Sequence, residues 1–503
     1  MKKLNSQKVV TIKGVYLCVL TVYALLREVL ALQEIVGSTF ITYGFFAMGV
    51  LLVVALVLCD RKAFLRKSQW LPIAFLIICM LSAIVNYQFD FMSNVKAIAW
   101  MALYFMLLLP ETGNIELEAR NRKRIITTAV ITMVVLSFIS LPMYFFNIDY
   151  TYVKPSGFSN NQGFSHQYIR LWGIFNDANT AAVYSLVCMC FAMYLFAETK
   201  KLFVRVLLGG VCIVLFLLVV LSNSRTALVA FVAASVWISL CVVLPRSRGN
   251  TQKKIITAML IAVVTAGATV GVYETVKLIM PYEKFTIQSI TSSSFQIGVH
   301  KAYDMFYQSS GLNITEGYYE EDSYMTEHAK VETTETTEST YALTEEANSR
   351  VESLDRTDEK TDLSNGRFVK WLEVLQVFKK MPILGASPRG ISSAAKQINA
   401  DGSVAKFGMA AHNSLLEVLA GTGILGFAAV FGILIWLLWI VLRNFFGGNT
   451  GNEFRVLSTV LLVMVCEMLF ISDVFFSLTF GGITFWMAAG HLFAAALAPA
   501  KKE

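Results

Sequence analysis

Apolar runs of about 17 residues or more recur along these 503 residues, near 14–34, 38–59, 70–86, 95–110, 125–146, 177–197, 203–222, 226–245, 255–280, 420–442, 456–472 and 474–498, and each is as long as a helix must be to cross roughly 30 Å of hydrocarbon. Hydrocarbon offers backbone groups no partner, so each run has to satisfy its own N–H and C=O groups as a helix. Charged residues are 15% of the chain, against roughly 25% in soluble domains, which excludes a soluble globule. The expected fold is an all-α polytopic membrane protein of about twelve transmembrane helices. The first run carries Arg27 and Glu28 and the fourth is short, so these two are the candidates for a partly interfacial position. The first run lacks a small-residue cleavage pattern and is expected to be retained as a span.

Charge sets the expected orientation. Alternate connections hold 23 Lys and Arg, while the intervening short loops hold 4, namely Lys96, Lys154, Arg170 and Arg225. That bias places both termini in the cytoplasm. The basic residues have no aromatic interleaving, so the net charge of +7 is a topological signal and not one for nucleic acid. All eight cysteines lie in or at the ends of apolar runs, which implies neither a disulfide framework nor a cysteine metal site.

Residues 281–411 interrupt the pattern between the ninth and tenth spans and divide the chain into spans 1–280, an extracytoplasmic loop 281–411, and spans 412–503. Within the loop, 311–362 is acidic and rich in Thr and Ser, too poor in apolar residues to offset the cost of ordering, and is expected to be disordered. From Ser364 the composition changes. Phe368, Trp371, Leu372, Leu375 and Phe378 recur at helical spacing after a possible N-cap at Ser364 or Asn365, which predicts a short amphipathic helix ending at Met381-Pro382. A second is expected near Ile391 to Asn399.

Four polar clusters are expected at the outer surface: Arg170 to Asn179 entering span six, Ser222 to Thr226 between spans seven and eight, Gly366-Arg367 opening the loop helix, and His412-Asn413 opening span ten. Asp177 and Asn179 also read as helix caps. Arg225 stands in an outer turn, against the charge bias, which favours a functional role over simple snorkelling.

His412-Asn413, nine residues and then Gly423-Ile-Leu-Gly426 is similar to a signature of the O-antigen ligase and O-antigen polymerase superfamily. Gly173 to Asn179 resembles that family's span entry, with Ala178 where proline is common, Ser224-Arg225-Thr226 its Ser-Arg-Thr turn, and Gly366-Arg367 with Trp371 and Pro382-x-x-Gly385 its outward helix. The two glycines of the signature are read as sites of close helix approach. The resemblance covers roughly Arg170 to Leu442 and implies a metal-independent membrane glycosyltransferase without cofactor. Its donor would be an oligo- or polysaccharide on a polyprenyl (undecaprenyl-type) diphosphate, its acceptor a glycan or a lipid, with membrane lipid and other polysaccharide-assembly membrane proteins as further partners.

Departing diphosphate needs cationic donors, and an acceptor hydroxyl needs a nearby base or positioner. Arg225 and Arg367 suit the first task, because guanidinium grips phosphate oxygens and stays charged, and His412 the second, as base or positioner, with Arg170, Asn179, Arg389 and Asn413 as substrate-binding residues. No Asp-x-Asp occurs in the chain, and no metal site is expected. Polymerisation of a surface polysaccharide is the leading reading, ligase-type transfer to a lipid, cell-wall or protein acceptor the alternative. A precursor transporter or flippase would require midplane charges or repeats, and a membrane-anchored sensor would act through the acidic tract.

Overall fold

The computed structural model describes residues 2–64, 69–110, 114–153, 159–165, 169–244, 251–280, 314–316, 367–407, 411–448, 451–472 and 474–497. The acidic tract, apart from Ile314 to Glu316, and the possible caps Ser364 and Asn365 lie outside them.

The chain opens with α1 (Lys2–Leu26), α2 (Leu30–Val36), α3 (Thr39–Cys59), the one-turn α4 (Arg61–Phe64), α5 (Trp70–Val85), α6 (Phe91–Leu108) and α7 (Ile115–Phe145). Strands β1 (Asp149–Val153), β2 (Ser159–Ser165) and β3 (Arg170–Gly173) lead into α8 (Ala178–Glu198), α9 (Leu202–Leu221), α10 (Arg225–Val243) and α11 (Thr251–Ile279). After β4 (Ile314–Glu316) come α12 (Arg367–Lys380), α13 (Ile391–Ile398), α14 (Ser403–Phe407), α15 (Ser414–Phe446), α16 (Asn452–Met468) and α17 (Phe480–Leu497). Helix occupies every one of the apolar runs. Among the described residues nine helices are long and apolar enough to cross a membrane, and Trp70–Val85 and Phe480–Ala494 are shorter apolar helices. The protein is an all-α polytopic membrane protein.

Hydrogen bonds sort the helix ends into two layers. One contains the ends of α1, α7, α9, α11 and α16 and the starts of α8, α10 and α15, tied by Leu30 N to Ile174 O (3.1 Å), Ile174 N to Ser140 Oγ (3.2 Å), Arg170 Nε to Ser222 O (2.7 Å), Lys277 Nζ to Asn223 Oδ1 (2.8 Å) and Asn413 Nδ2 to Leu469 O (3.1 Å). The other holds the buried pair of Lys13 Nζ with Glu118 Oε1 (2.9 Å) and the Arg122–Glu453 pair (2.8 Å). The ends of α3, α8, α10 and α15 and the starts of α5, α9, α11 and α16 belong to that second layer, as the alternation of the helices requires.

α8 is the central helix, its Ala178, Ala181, Ala182, Ser185, Cys188 and Ala192 all buried. Small side chains let neighbouring backbones approach where lipid gives helices no hydrophobic reason to associate. Ser137, Ser140 and Ser185 return their hydroxyls to carbonyls four residues back, which satisfies them within the helix.

The first apolar run is not one helix. Val29 bridges Phe175, and Asn176 N donates to Glu28 O at 2.7 Å, so the chain breaks at Arg27 and Glu28 to pair with the segment entering α8. A four-stranded antiparallel sheet, ordered β3-β2-β1-β4, adds structure that the hydropathy pattern does not announce. Its outermost strand, Ile314–Glu316, falls inside the stretch expected to be disordered.

The loop helices match expectation as α12 and α13, and α14 is additional. What anchors them is an interlock of backbones. α15 is broken at Gly423 (φ 66°), and residues 382–386 lie across the break, with Ala386 N on Ala420 O (2.8 Å) and Ile424 N on Pro382 O (2.8 Å). A methyl group on Gly423 would run into the Ile383 carbonyl, and one on Gly385 (φ 66°) into the backbone of 420–422. These glycines therefore admit a crossing loop rather than a neighbouring helix, which corrects the close-helix reading of Gly423. Ser82 Oγ and Asn86 Nδ2 of the α5 end secure the same loop, donating to Leu384 O (2.5 Å) and Gly385 O (2.9 Å).

Candidate functional site

Four helix N-termini gather in the layer that carries the sheet. Asp177 caps α8, its Oδ1 accepting from Asn179 N (3.2 Å) and its Oδ2 from Thr180 N (3.1 Å) and Thr180 Oγ1 (3.0 Å). Ser224 caps α10 by accepting from Ala227 N at 3.2 Å. Asn413 caps α15 by accepting from Leu416 N at 3.0 Å. Arg367 is the first residue of α12. Helix N-termini direct unpaired N–H groups and a partial positive charge outward, which favours an anion.

Asn179 joins the α8 and α10 N-termini to β3. Its Oδ1 accepts from Arg170 Nη2 (2.5 Å) and Ser224 Oγ (2.9 Å), and its Nδ2 donates to Asp177 Oδ1 (3.2 Å). Arg170, on β3, is thereby clamped between α8 and the α9–α10 turn, with its guanidinium 5.4 Å from the Trp172 ring centre. Arg225 follows the Ser224 cap directly and is exposed, on a turn whose Asn223 holds a left-handed φ of 49°.

His412 also sits in a left-handed conformation (φ 49°). It is held from both sides: Ala411 O accepts from Trp371 Nε1 (2.9 Å), Ala411 N donates to Glu417 Oε1 (3.0 Å), and Asn413 is fixed by its cap. Non-glycine residues held at positive φ store strain, and such strain concentrates at functional sites. The Trp371 bond registers α12 against His412, while Arg367 lies over the Phe470 ring at 5.9 Å.

Charges in this layer act on one another. Burial lowers the pKa of Arg170, offset by Asp177 and reinforced by Arg367 and Arg225. Burial likewise lowers that of Arg367, against the pull of Asp177 and with the push of Arg225. His412 is exposed at its edge, yet desolvation by the surrounding protein, together with Lys370 and Arg367 and despite Asp177, pushes its pKa down to about 4. The imidazole is therefore neutral and able to accept a proton at physiological pH.

Arg170, Asn179, Arg225, Arg367 and His412 thus form one electrostatic neighbourhood around Asp177. Two other residues picked from the sequence lie differently. Asn413 spends its side chain on the α15 cap and on Leu469 O. Arg389 points to the segment before α17, donating from Nη2 to Phe476 O at 2.5 Å. Lys370 and Lys277 were missed: the first lies one turn along α12 from Arg367, a spacing visible in the sequence, whereas the bond of Lys277 to Asn223 depends on how α11 packs. Asp177 was read only as a cap.

The site and fold define a multi-pass membrane protein with a cationic cluster at its helix ends. Residues 210–431 match the family model described as O-antigen ligase, which supports a relation of this part of the chain to the O-antigen ligase and polymerase superfamily. Arg225, Arg367, Arg389 and His412 lie inside the matched stretch, Arg170 and Asn179 before it. The family indicates ligase- or polymerase-type activity with a lipid-linked glycan donor and an acceptor. No curated protein matches the chain.

Proposed function

We propose that this protein polymerises a surface polysaccharide by glycosyl transfer at the outer face of the bacterial cytoplasmic membrane, from a polyprenyl-diphosphate-linked glycan to a hydroxyl of another. The observation that carries this reading is the set of Arg170, Arg225 and Arg367 beside a neutral His412, at converging helix N-termini. Arg225 and Arg367 grip the diphosphate, because guanidinium offers several fixed donors and stays charged. Asn179 and Arg170 hold the floor of the site. His412 takes the proton of the acceptor hydroxyl as its oxygen bonds to the anomeric carbon, and the bond from that carbon to the diphosphate oxygen breaks, releasing polyprenyl diphosphate.

Sidedness supports the reading, since Lys13, Arg122 and the basic connection Lys200 to Arg205 lie at the layer opposite the site. The chemistry is metal-independent: cationic side chains neutralise the leaving group, and both Asp177 oxygens already accept hydrogen bonds at the α8 cap. The test is reconstitution of the purified chain with a polyprenyl-diphosphate oligosaccharide as sole substrate, with and without EDTA. A ladder of products that survives chelation is expected. Absence of a ladder until a lipid, cell-wall or protein acceptor is added would assign a ligase, and rescue by magnesium after chelation would reject metal independence.

A further inference from the structure

α9 and α10 part below their shared turn: α9 packs along α8, whereas α10 packs against α16 and α11 as well as α8. Between α8 and α10 lies an apolar cavity of about 210 Å³. Leu186, Met189 and Met193 line it from α8 and Phe231, Ser235 and Ile238 from α10, each set at the spacing of one helix face. Toward the outer layer the Phe231 ring meets Phe216 of α9, with centres 5.7 Å apart, and the two rings separate the cavity from the Asp177 cluster. From Leu186 to Phe196, one turn past Met193, the helix runs about 15 Å, half of a roughly 30 Å hydrocarbon core. The cavity therefore belongs to the cytoplasmic leaflet.

Both helix faces lead to an arginine in the cytoplasmic layer. The α8 face continues to Phe196, and Arg205, near the start of α9, lies over that ring at 5.6 Å with its Nε on Thr199 O at 2.8 Å. The α10 face continues to Cys241, which lies within electrostatic reach of Arg455. A snorkelling arginine carries its head to water. Arg455 Nε is instead buried and, among the described residues, has no hydrogen-bond partner. Neither Arg205 nor Arg455 forms an ion pair among the described residues. Two cations at the mouth of an apolar cavity one leaflet deep suit a lipid phosphate with its acyl chain behind it.

We propose that one anionic phospholipid of the cytoplasmic leaflet seats here, its phosphate between Arg205 and Arg455 and an acyl chain between α8 and α10. The polyprenyl tail of a donor held at the outer layer is the poorer occupant, because it would have to enter from the opposite end, past the Phe216 and Phe231 rings. The bound lipid braces α9 and α10, the two helices whose turn carries Ser224 and Arg225.

The test is native mass spectrometry of the purified full chain in detergent, titrated with dioleoyl phosphatidylglycerol and, separately, with dioleoyl phosphatidylcholine. One retained phosphatidylglycerol per chain is expected, and no phosphatidylcholine at the same concentration. Arg205→Gln/Arg455→Gln is expected to weaken that adduct at least about tenfold, a decade in Kd. Arg205→Lys/Arg455→Lys, which keeps the charge should the Gln variant misfold, is expected to retain it. Ser235→Phe fills the cavity without touching either cation and is also expected to displace the lipid. Equal retention of the two phospholipids, or a phosphatidylglycerol adduct that survives both the Gln and the Phe variants, overturns the proposal. So does its displacement by inorganic phosphate, which would mark a free-anion site, or by farnesyl diphosphate, which would mark a donor-tail site. None of these readouts depends on glycosyl transfer.

Discussion

Ser224 donates its hydroxyl to the carboxamide oxygen of Asn179 at 2.9 Å, joining the first turn of α10 to the first turn of α8. The same oxygen holds Arg170, so one amide sets the distance between two arginine-bearing elements. Asn179→Asp keeps the acceptor but adds a negative charge among the cations. The expected result is a donor KM raised about tenfold, equivalent to roughly 1.4 kcal/mol, with the chain still folded. An unchanged KM in steady-state kinetics would remove Asn179 from the site.

Arg225→Ala, Arg367→Ala and His412→Ala are each expected to lower turnover by at least about a hundredfold, the scale of losing one positioned acid–base or charge-stabilising group. Expression and monodispersity should remain normal. Near-normal polymer from any two of the three, quantified on gels against wild type, rejects the assignment.

The acid limb of kcat/KM tests His412. Only the neutral imidazole accepts a proton, so activity is expected to hold as pH falls below 6.5 and to drop through about 4. Lys370 is the charge that lowers this pKa most, so Lys370→Gln should move the limb upward. A wild-type limb near the ordinary histidine value, or one that Lys370→Gln leaves in place, contradicts the electrostatic account.

Gly423→Ala is expected to be far worse than a helix substitution usually is. At φ 66° and ψ −169° the backbone lies in a region essentially confined to glycine, which costs another residue about 1–3 kcal/mol, and the new methyl also meets the Ile383 carbonyl. Loss of the folded fraction, or a large fall in melting temperature, should accompany loss of activity. Gly209→Ala, which meets nothing within 4 Å, is the control.

At the opposite layer, Lys13 and Glu118 are a buried pair with side chains 6% and 5% exposed, and Lys13 Nζ also bonds Pro110 O at 3.2 Å. Lys13→Met strands a buried carboxylate and is expected to cost about 3–5 kcal/mol. The Lys13→Met/Glu118→Leu double variant should recover most of that loss in thermal unfolding. If the double is as unstable as the single, the pair is not what fixes α1 to α7.

Much of this was legible before folding. α12 and α13 were visible because amphipathic spacing is local, and Arg225 stood out because its charge opposes the loop bias. The sheet was not: Ser159 to Ser165 is a polar run without alternation, and it becomes a strand only by pairing with Asp149 to Val153 and Arg170 to Gly173. The two glycine motifs were both noticed, yet nothing in either showed that Pro382 to Ala386 would lie across the break at Gly423, since contacts between remote segments leave no periodic trace.

By itself the sequence determined which segments enter the membrane and in what alternation, because hydrocarbon imposes its requirement on each stretch of chain separately. Tertiary structure alone decided which polar residues meet. Whether Arg367 faces Asp177 while Arg389 turns to Phe476 depends on the rotation of each helix and the path of each loop, and these are fixed by packing between segments remote in sequence.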